Sequence, residues 1–112
     1  MAIYVNNKAL LEQLRLSNER KEPTSELIEM FILMADKFGY KLQYKNPMDR
    51  EDCAAFAVMD CYLYWDRFNI NKGTNAFSYF TQMIKMGYAK GWRKLHPQPM
   101  ANFIGLTNIW SI

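Results

Sequence analysis

The chain has 112 residues, half of them hydrophobic and 15% aromatic, which predicts one folded domain with a single core and argues against disorder throughout. Residues 1–66 carry 8 Lys or Arg against 11 Asp or Glu, whereas residues 67–112 carry 6 cations and no acid. The longest apolar run, Cys53–Met59, is far shorter than the roughly 20 residues that cross a bilayer, and nothing resembles a signal peptide. We therefore expect a cytoplasmic protein with no membrane partner.

The first part of the chain predicts two helices. A short extended arm leads into a helix that Asn6 or Asn7 can cap, because a short side-chain acceptor satisfies a free N–H of the first turn. Thr24 or Ser25 caps the second helix in the same way, and Gly39 is expected to end it in the left-handed conformation. The second helix has apolar residues at helical spacing, namely Leu27, Ile28, Phe31, Met34, Ala35 and Phe38.

A third helix is expected after a connector at Tyr40–Met48, with Asp49 as its N-cap. Residues 53–65 are apolar nearly all round, which is typical of a helix at the centre of a bundle or of one with a face available to a partner. Its only charge is Asp60, which shares a face with Arg67 and is interpreted as a paired structural charge.

The sequence offers no metal or disulfide site. Cys53 and Cys61 lie eight residues apart in the predicted helix, about 12 Å along its axis, which is too far for a disulfide. We expect them to be buried thiols. Because His96 is the only histidine and no Cys-x-x-Cys pair occurs, we expect neither a metal nor a cofactor.

The fourth predicted helix lies in the acid-free half. On a helical wheel, one arc forms the predicted core face: Phe77, Phe80, Ile84, Gly87, Tyr88, Gly91 and Leu95. Its two glycines have no side chain to keep a neighbouring helix away. The opposite arc is predicted to meet solvent and holds Tyr79, Gln82, Met83, Met86, Lys90 and Arg93, with Lys94, Lys85 and Trp92 at its margins. Cations interleaved with aromatic and amide groups suit nucleic acid, although the same pattern also fits an ordinary solvated basic face.

The segment from His96 to Pro99 marks the end of this helix. The domain is therefore assigned to residues 1–96, and residues 97–112 form an apolar, uncharged tail. The tail either packs back on the domain or anchors another protein.

The third and fourth helices resemble region 2 of bacterial sigma factors, which holds RNA polymerase and reads the minus-ten promoter element. The resemblance rests on ungapped spacing of Asp52, Asp66-Arg67-Phe68, Gly73, Ser78-Tyr79 and Ile84-Lys85. The strings YVNNKALL and RFNINKGTNAFSYFTQ are similar to the late-transcription sigma factors of T-even-type bacteriophages. Together these matches span roughly residues 3–95.

This resemblance implies an all-α, compact single-domain bundle of three to five helices. We expect its core to include Phe31, Phe38, Phe56, Met59, Leu63, Phe68, Phe80 and Ile84. The helix from Asp52 to Phe68 would dock on the clamp coiled coil of the largest subunit of a bacterial core RNA polymerase. The implied polymerase-binding residues are Asp52, Ala55, Phe56, Met59 and Tyr62.

The resemblance also implies that the fourth helix lies against the non-template strand of an A/T-rich minus-ten element. The implied DNA-binding residues are Ser78, Tyr79, Gln82, Met83, Lys85, Met86, Lys90, Arg93 and Lys94. Tyr79 corresponds to the family aromatic that stacks on a flipped base. Gln82 and Met83 replace two family tryptophans, so we expect weaker intrinsic melting and dependence on an easily opened site or on a co-activator.

The phage subfamily attaches to a DNA sliding clamp through a short hydrophobic C-terminal segment. The tail residues that would serve here are Phe103, Ile104, Leu106, Ile109 and Trp110. The tail lacks the acidic residues that such a segment is expected to carry, so clamp binding is a hypothesis.

Two other functional classes compete with a non-enzymatic sigma factor in the host bacterial cytoplasm. The first is a helical adaptor or inhibitor that binds RNA polymerase, or another protein, without reading DNA. The second is a metal-dependent nuclease with acidic ligands at Asp49, Glu51, Asp52 and Asp60, although a helix N-terminus explains the first three without function. We expect no enzymatic activity.

Overall fold

The computed structural model describes residues 5–41, 47–72 and 75–96, which form four α-helices. They are α1 (Asn7–Arg20), α2 (Ser25–Gly39), α3 (Pro47–Tyr64) and α4 (Ala76–Leu95), and two 3-10 turns, Trp65–Arg67 and Ile70–Lys72, follow α3. These three stretches contain no strand, so the predicted all-α bundle is confirmed. Within the same stretches, no helix is long and apolar enough to cross a membrane.

Three of the four helices begin at a side-chain cap. Asn6, Thr24 and Asn75 each accept a hydrogen bond from the backbone N–H three residues on, at 2.8, 3.1 and 2.8 Å. The caps of α1 and α2 are therefore among the residues that the sequence proposed. The third helix begins earlier than predicted, at Pro47, because proline has no N–H to leave unpaired in a first turn. Asp49 accordingly lies inside α3 and is not its N-cap.

Asn7, the first residue of α1, caps the start of α4, which is distant in the sequence. Its side-chain Oδ1 accepts hydrogen bonds from the backbone N–H groups of Ala76 and Phe77, at 2.8 and 3.2 Å. The two adjacent asparagines thus serve different helices, since Asn6 caps α1 and Asn7 caps the first turn of α4. This contact fixes the start of α1 against the start of α4.

Gly39 ends α2, but not in the left-handed conformation that was predicted. It is the last helical residue, and the following Tyr40 has φ −69°. Glycine is required there by a close approach, because a Cβ at this position would lie 2.6 Å from the Tyr88 hydroxyl oxygen. That hydroxyl donates to the Ala35 carbonyl at 2.6 Å, and burial raises the pKa of Tyr88, which keeps it a donor.

The central contact of the bundle joins α3 to α4 through small residues. A Cβ on Gly87 would lie 2.6 Å from the Cα of Ala57, and one on Gly91 would lie 3.1 Å from the Cα of Cys53. The predicted role of both glycines, which is to let a neighbouring helix approach, is therefore confirmed. Because Cys53, Ala57 and Cys61 recur every four residues, one narrow stripe of α3 is buried.

Because only this narrow stripe of α3 is buried, part of the predicted core is wrong. Met59 and Leu63 are 54% and 53% exposed, because they lie off the stripe that meets α4. Phe77 is 39% exposed, whereas Phe56 and Leu95 are half-buried. The other predicted core residues are buried, namely Phe31, Phe38, Phe68, Phe80 and Ile84.

We predict that Gly87→Ala lowers the free energy of unfolding by about 1–3 kcal/mol, because the new methyl group meets backbone and α3 and α4 must separate. Urea unfolding followed by circular dichroism measures the change. Gly91→Ala is the matched comparison and should cost less, since a Cβ there would lie 3.0 Å from the Phe56 ring, which can move, and 3.1 Å from the Cα of Cys53 rather than 2.6 Å from a backbone atom. A cost at Gly91 equal to or above that at Gly87 would contradict this packing.

Candidate nucleic-acid and protein interfaces

The outer face of α4 presents polar and cationic side chains without an acid. Gln82, Met86, Arg93 and Lys94 are exposed, as predicted, and so is Ser78. The α4 sequence contains no Asp or Glu, and its four cations all lie from residue 85 onward: Lys85, Lys90, Arg93 and Lys94. Lys85 is half-buried at its margin.

Tyr79 and Met83 are less exposed than predicted, since both are half-buried against the core. The Tyr79 ring lies 5.1 Å from the ring of Phe68, at an interplanar angle of 57°, and 5.0 Å from that of Phe80, edge to face. Phe68 follows the first 3-10 turn and is buried beside α4. The aromatic residue of the predicted base-reading surface is thus already packed on one side.

Lys90, a predicted DNA contact, has an intramolecular partner. Its ammonium lies 2.9 Å from Oδ1 of Asp60, whose side chain is 14% exposed, whereas that of Lys90 is 47% exposed. The pairing of Asp60 as a structural charge is confirmed, but the suggested partner, Arg67, was wrong. The guanidinium of Arg67 instead lies 4.2 Å above the ring centre of Tyr64.

A second surface is an apolar groove of about 490 Å³ between α2 and α3. From α3 it contains three of the predicted polymerase-binding residues: Ala55, Met59 and Tyr62. From α2 it contains Ile28 and Ile32, and the latter is 49% exposed. Two carboxylates, Asp36 and Glu51, also belong to the lining. Asp52 is exposed on α3 and is not among the lining residues.

The α2 side of this groove was missed by the sequence reasoning. Ile28 was placed on the apolar stripe of α2, and Ile32 lies off that stripe. Ile32 itself was the signal in the sequence, because a β-branched apolar residue beside that stripe indicates an apolar patch on the surface of α2.

Phe56 does not belong to this groove. Its ring borders the position of Gly91 on α4, and the Lys94 ammonium lies 5.9 Å from the ring centre. On a helical wheel the groove residues of α3 fill the arc between Ala54 and Met59, and Phe56 falls outside it, about 60° beyond Met59. The structure therefore separates Phe56 from Ala55, Met59 and Tyr62.

The acidic residues weighed as nuclease ligands do not converge. Asp49 lies 2.9 Å from Nε2 of His96, while Asp60 pairs with Lys90. The His96 ring in turn packs 4.1 Å from that of Trp92. In the part of the chain that the structure describes, no three His, Cys, Asp or Glu residues are grouped as a metal site.

Both cysteines are buried thiols and neither forms a disulfide, as the sequence predicted. Burial, with a smaller contribution from the neighbouring Asp60 carboxylate, raises the pKa of Cys61 to about 12. Thiolate is the reactive form, so Cys61 is an inert core residue at neutral pH.

Some of the residues singled out in the sequence lie outside the described stretches. They are Gly73 of the turn and the tail residues Phe103, Ile104, Leu106, Ile109 and Trp110.

Comparison of the chain with protein-family models, curated proteins and solved structures gave no match. Any function must therefore be argued from the two surfaces themselves.

We predict that Lys90→Met lowers the free energy of unfolding by about 1–3 kcal/mol, because the Asp60 carboxylate, largely removed from water, loses its hydrogen-bonded partner. Arg93→Met is the control, since Arg93 is exposed on the same helix and the same change of side chain should cost less than about 0.5 kcal/mol. Urea unfolding at pH 7 compares them, and equal effects would mean that the ion pair contributes nothing.

Proposed function

We propose that this chain is a sigma-type initiation factor that binds a bacterial core RNA polymerase and directs it to an A/T-rich minus-ten element, and does no chemistry itself. The observation that supports it best is the arrangement of two unlike surfaces on two tightly packed helices. An exposed apolar groove borders α3, and an acid-free polar face covers the outside of α4.

The groove suits a protein partner. Met59, Tyr62 and Ile32 are each about half exposed, although a solvated helix surface would normally carry polar residues there. Covering these side chains on binding removes apolar area from water, worth roughly 25 cal/mol per Å². In this proposal the partner is the clamp coiled coil of the largest polymerase subunit, and the docking surface is Ala55, Met59 and Tyr62 with Ile28 and Ile32 added from α2.

The outer face of α4 suits a nucleic-acid strand. Ser78 and Arg93 lie 15 residues apart, hence about 22 Å along the helix axis, comparable to six stacked base pairs at roughly 3.4 Å each. Gln82 and Met86 lie between them, where side chains reach base edges, and Arg93 and Lys94 supply charge for phosphates. Tyr79 would offer only the unpacked part of its ring to a base.

Attachment to a sliding clamp or a co-activator is the third element of the proposal. It rests on the apolar composition of residues 97–112 and on their place after a domain that resembles the phage subfamily. Its test is a pull-down in which deletion of these residues removes clamp binding.

A second candidate is an adaptor or inhibitor that binds polymerase without reading DNA. It is favoured by the internal partners of the two residues most needed for reading. The Lys90 ammonium is paired with Asp60, and the Tyr79 ring packs on Phe68. Under this candidate the groove would be required and the α4 face would not.

We predict that Met59→Asp weakens binding to core RNA polymerase at least about tenfold, because a charge is placed in an apolar contact. Leu63→Asp is the matched control, since Leu63 is on the same helix, equally exposed, and does not line the groove. Titration of labelled protein with core enzyme gives both affinities. If both variants bind as tightly as wild type, polymerase docking at this groove is wrong.

We predict that Tyr79→Leu lowers run-off transcription from an A/T-rich minus-ten template at least about tenfold, because leucine keeps the apolar contact with Phe68 and loses the stacking surface. Phe77→Leu, an exposed aromatic outside the α4 reading face, is the control and should transcribe normally. Binding to core enzyme is measured in parallel. Tight core binding with no initiation by wild type would favour the adaptor.

A further inference from the structure

A separate cavity lies on the other side of α2, between its C-terminal half and the first half of α4. Its volume is about 220 Å³, and its apolar wall includes Met34 and Phe38 from α2 and Phe77 and Ile84 from α4. It shares no residue with the α2–α3 groove. Neither proposed role of the chain uses it.

The charge around this cavity is positive. Its lining includes Lys37, in the last turn of α2, and Lys41, two residues after the helix ends, and both are exposed. No described lining residue is acidic. The α2–α3 groove has the opposite character, since Asp36 and Glu51 line it. Neighbouring residues Asp36 and Lys37 therefore give the two sides of α2 opposite charge, so an acidic partner is attracted to one side and repelled from the other.

The size of the cavity limits what it can hold. A protein cavity of about 150 Å³ accepts benzene, so 220 Å³ has room for one large side chain and not for a folded element. Apart from the two ammonium groups, Thr81 supplies the only side-chain polar group in the described lining. A nucleobase would leave most of its polar edge without partners, which costs free energy, whereas a hydrocarbon side chain would not.

We propose that this cavity binds an acidic peptide segment of a partner protein, which inserts one phenylalanine, tryptophan or leucine side chain and places its flanking carboxylates near Lys37 and Lys41. The inserted side chain covers Phe77, which is 39% exposed. The apolar contact supplies affinity, and the two lysines favour a partner segment with negative charge. This inference does not depend on the proposed sigma function.

The test uses the full-length ¹⁵N-labelled protein and three capped heptapeptides, each with a central Phe, Trp or Leu between pairs of aspartates. We expect at least one to shift the amide signals of Lys41, Phe77 and Thr81 with a Kd of about 1 mM or tighter. The same peptides with lysines replacing aspartates should bind at least about fivefold more weakly. No shift with any of the three, or equal binding of the lysine versions, would overturn the proposal.

Variants separate this cavity from other sites. The double change Lys37→Glu with Lys41→Glu should weaken peptide binding at least about fivefold, whereas Lys8→Glu with Lys72→Glu, which makes the same change of net charge at exposed positions elsewhere, should weaken it less than about twofold. Shifts confined to Ile32 and Met59 would also overturn the proposal, because they report the other groove. A single-stranded oligonucleotide that shifts the cavity signals when no peptide does would assign the cavity to nucleic acid instead.

Discussion

The close approach of α3 and α4 is the constraint on which the rest of the structure depends. Gly87 leaves no room for a methyl group against the backbone of Ala57, so the two helices are held in one register by sterics. With that register set, Lys90 is placed beside Asp60 and the Phe56 ring lies over Gly91. The groove residues and the α4 outer face then sit at a fixed distance from each other, and any partner of one surface meets the other in a set orientation.

Local features of the bundle were readable from the sequence because they depend on near neighbours. The α2 stripe and its Thr24 cap follow from spacing and from the chemistry of a first turn. The role of the α4 glycines was also predictable from the sequence, since a glycine on the core face has no side chain and lets a neighbouring helix pack closely. The sequence could not show which face of α3 is buried, because a helix that is apolar nearly all round has no single apolar side on a helical wheel. Met59 and Leu63 were therefore placed in the core, although both are about half exposed.

The candidate surfaces were predicted in outline and corrected in detail. The wheel gave the exposed positions of Gln82, Met86 and Arg93 because amphipathicity alone decides them. It could not show that Phe68 packs on Tyr79 or that Asp60 reaches Lys90, because these contacts join segments 11 and 30 residues apart through tertiary structure. For the same reason Ile32 was missed as part of the groove, since it becomes a surface feature only when α2 lies beside α3.

The hydrogen bonds between Asn7 and the first turn of α4 couple the starts of the first and last helices. The first turn of α4 takes its acceptor from a residue 69 positions earlier in the chain, so that turn is completed only when α1 has docked. A contact with so large a sequence separation is costly to close and belongs to the late, non-local part of folding. Local opening of α1 would fray the beginning of α4, where Ser78 and Tyr79 lie. Order at this end of the α4 face is therefore cooperative with docking of α1, a helix that contributes no residue to the α2–α3 groove or to the α4 face.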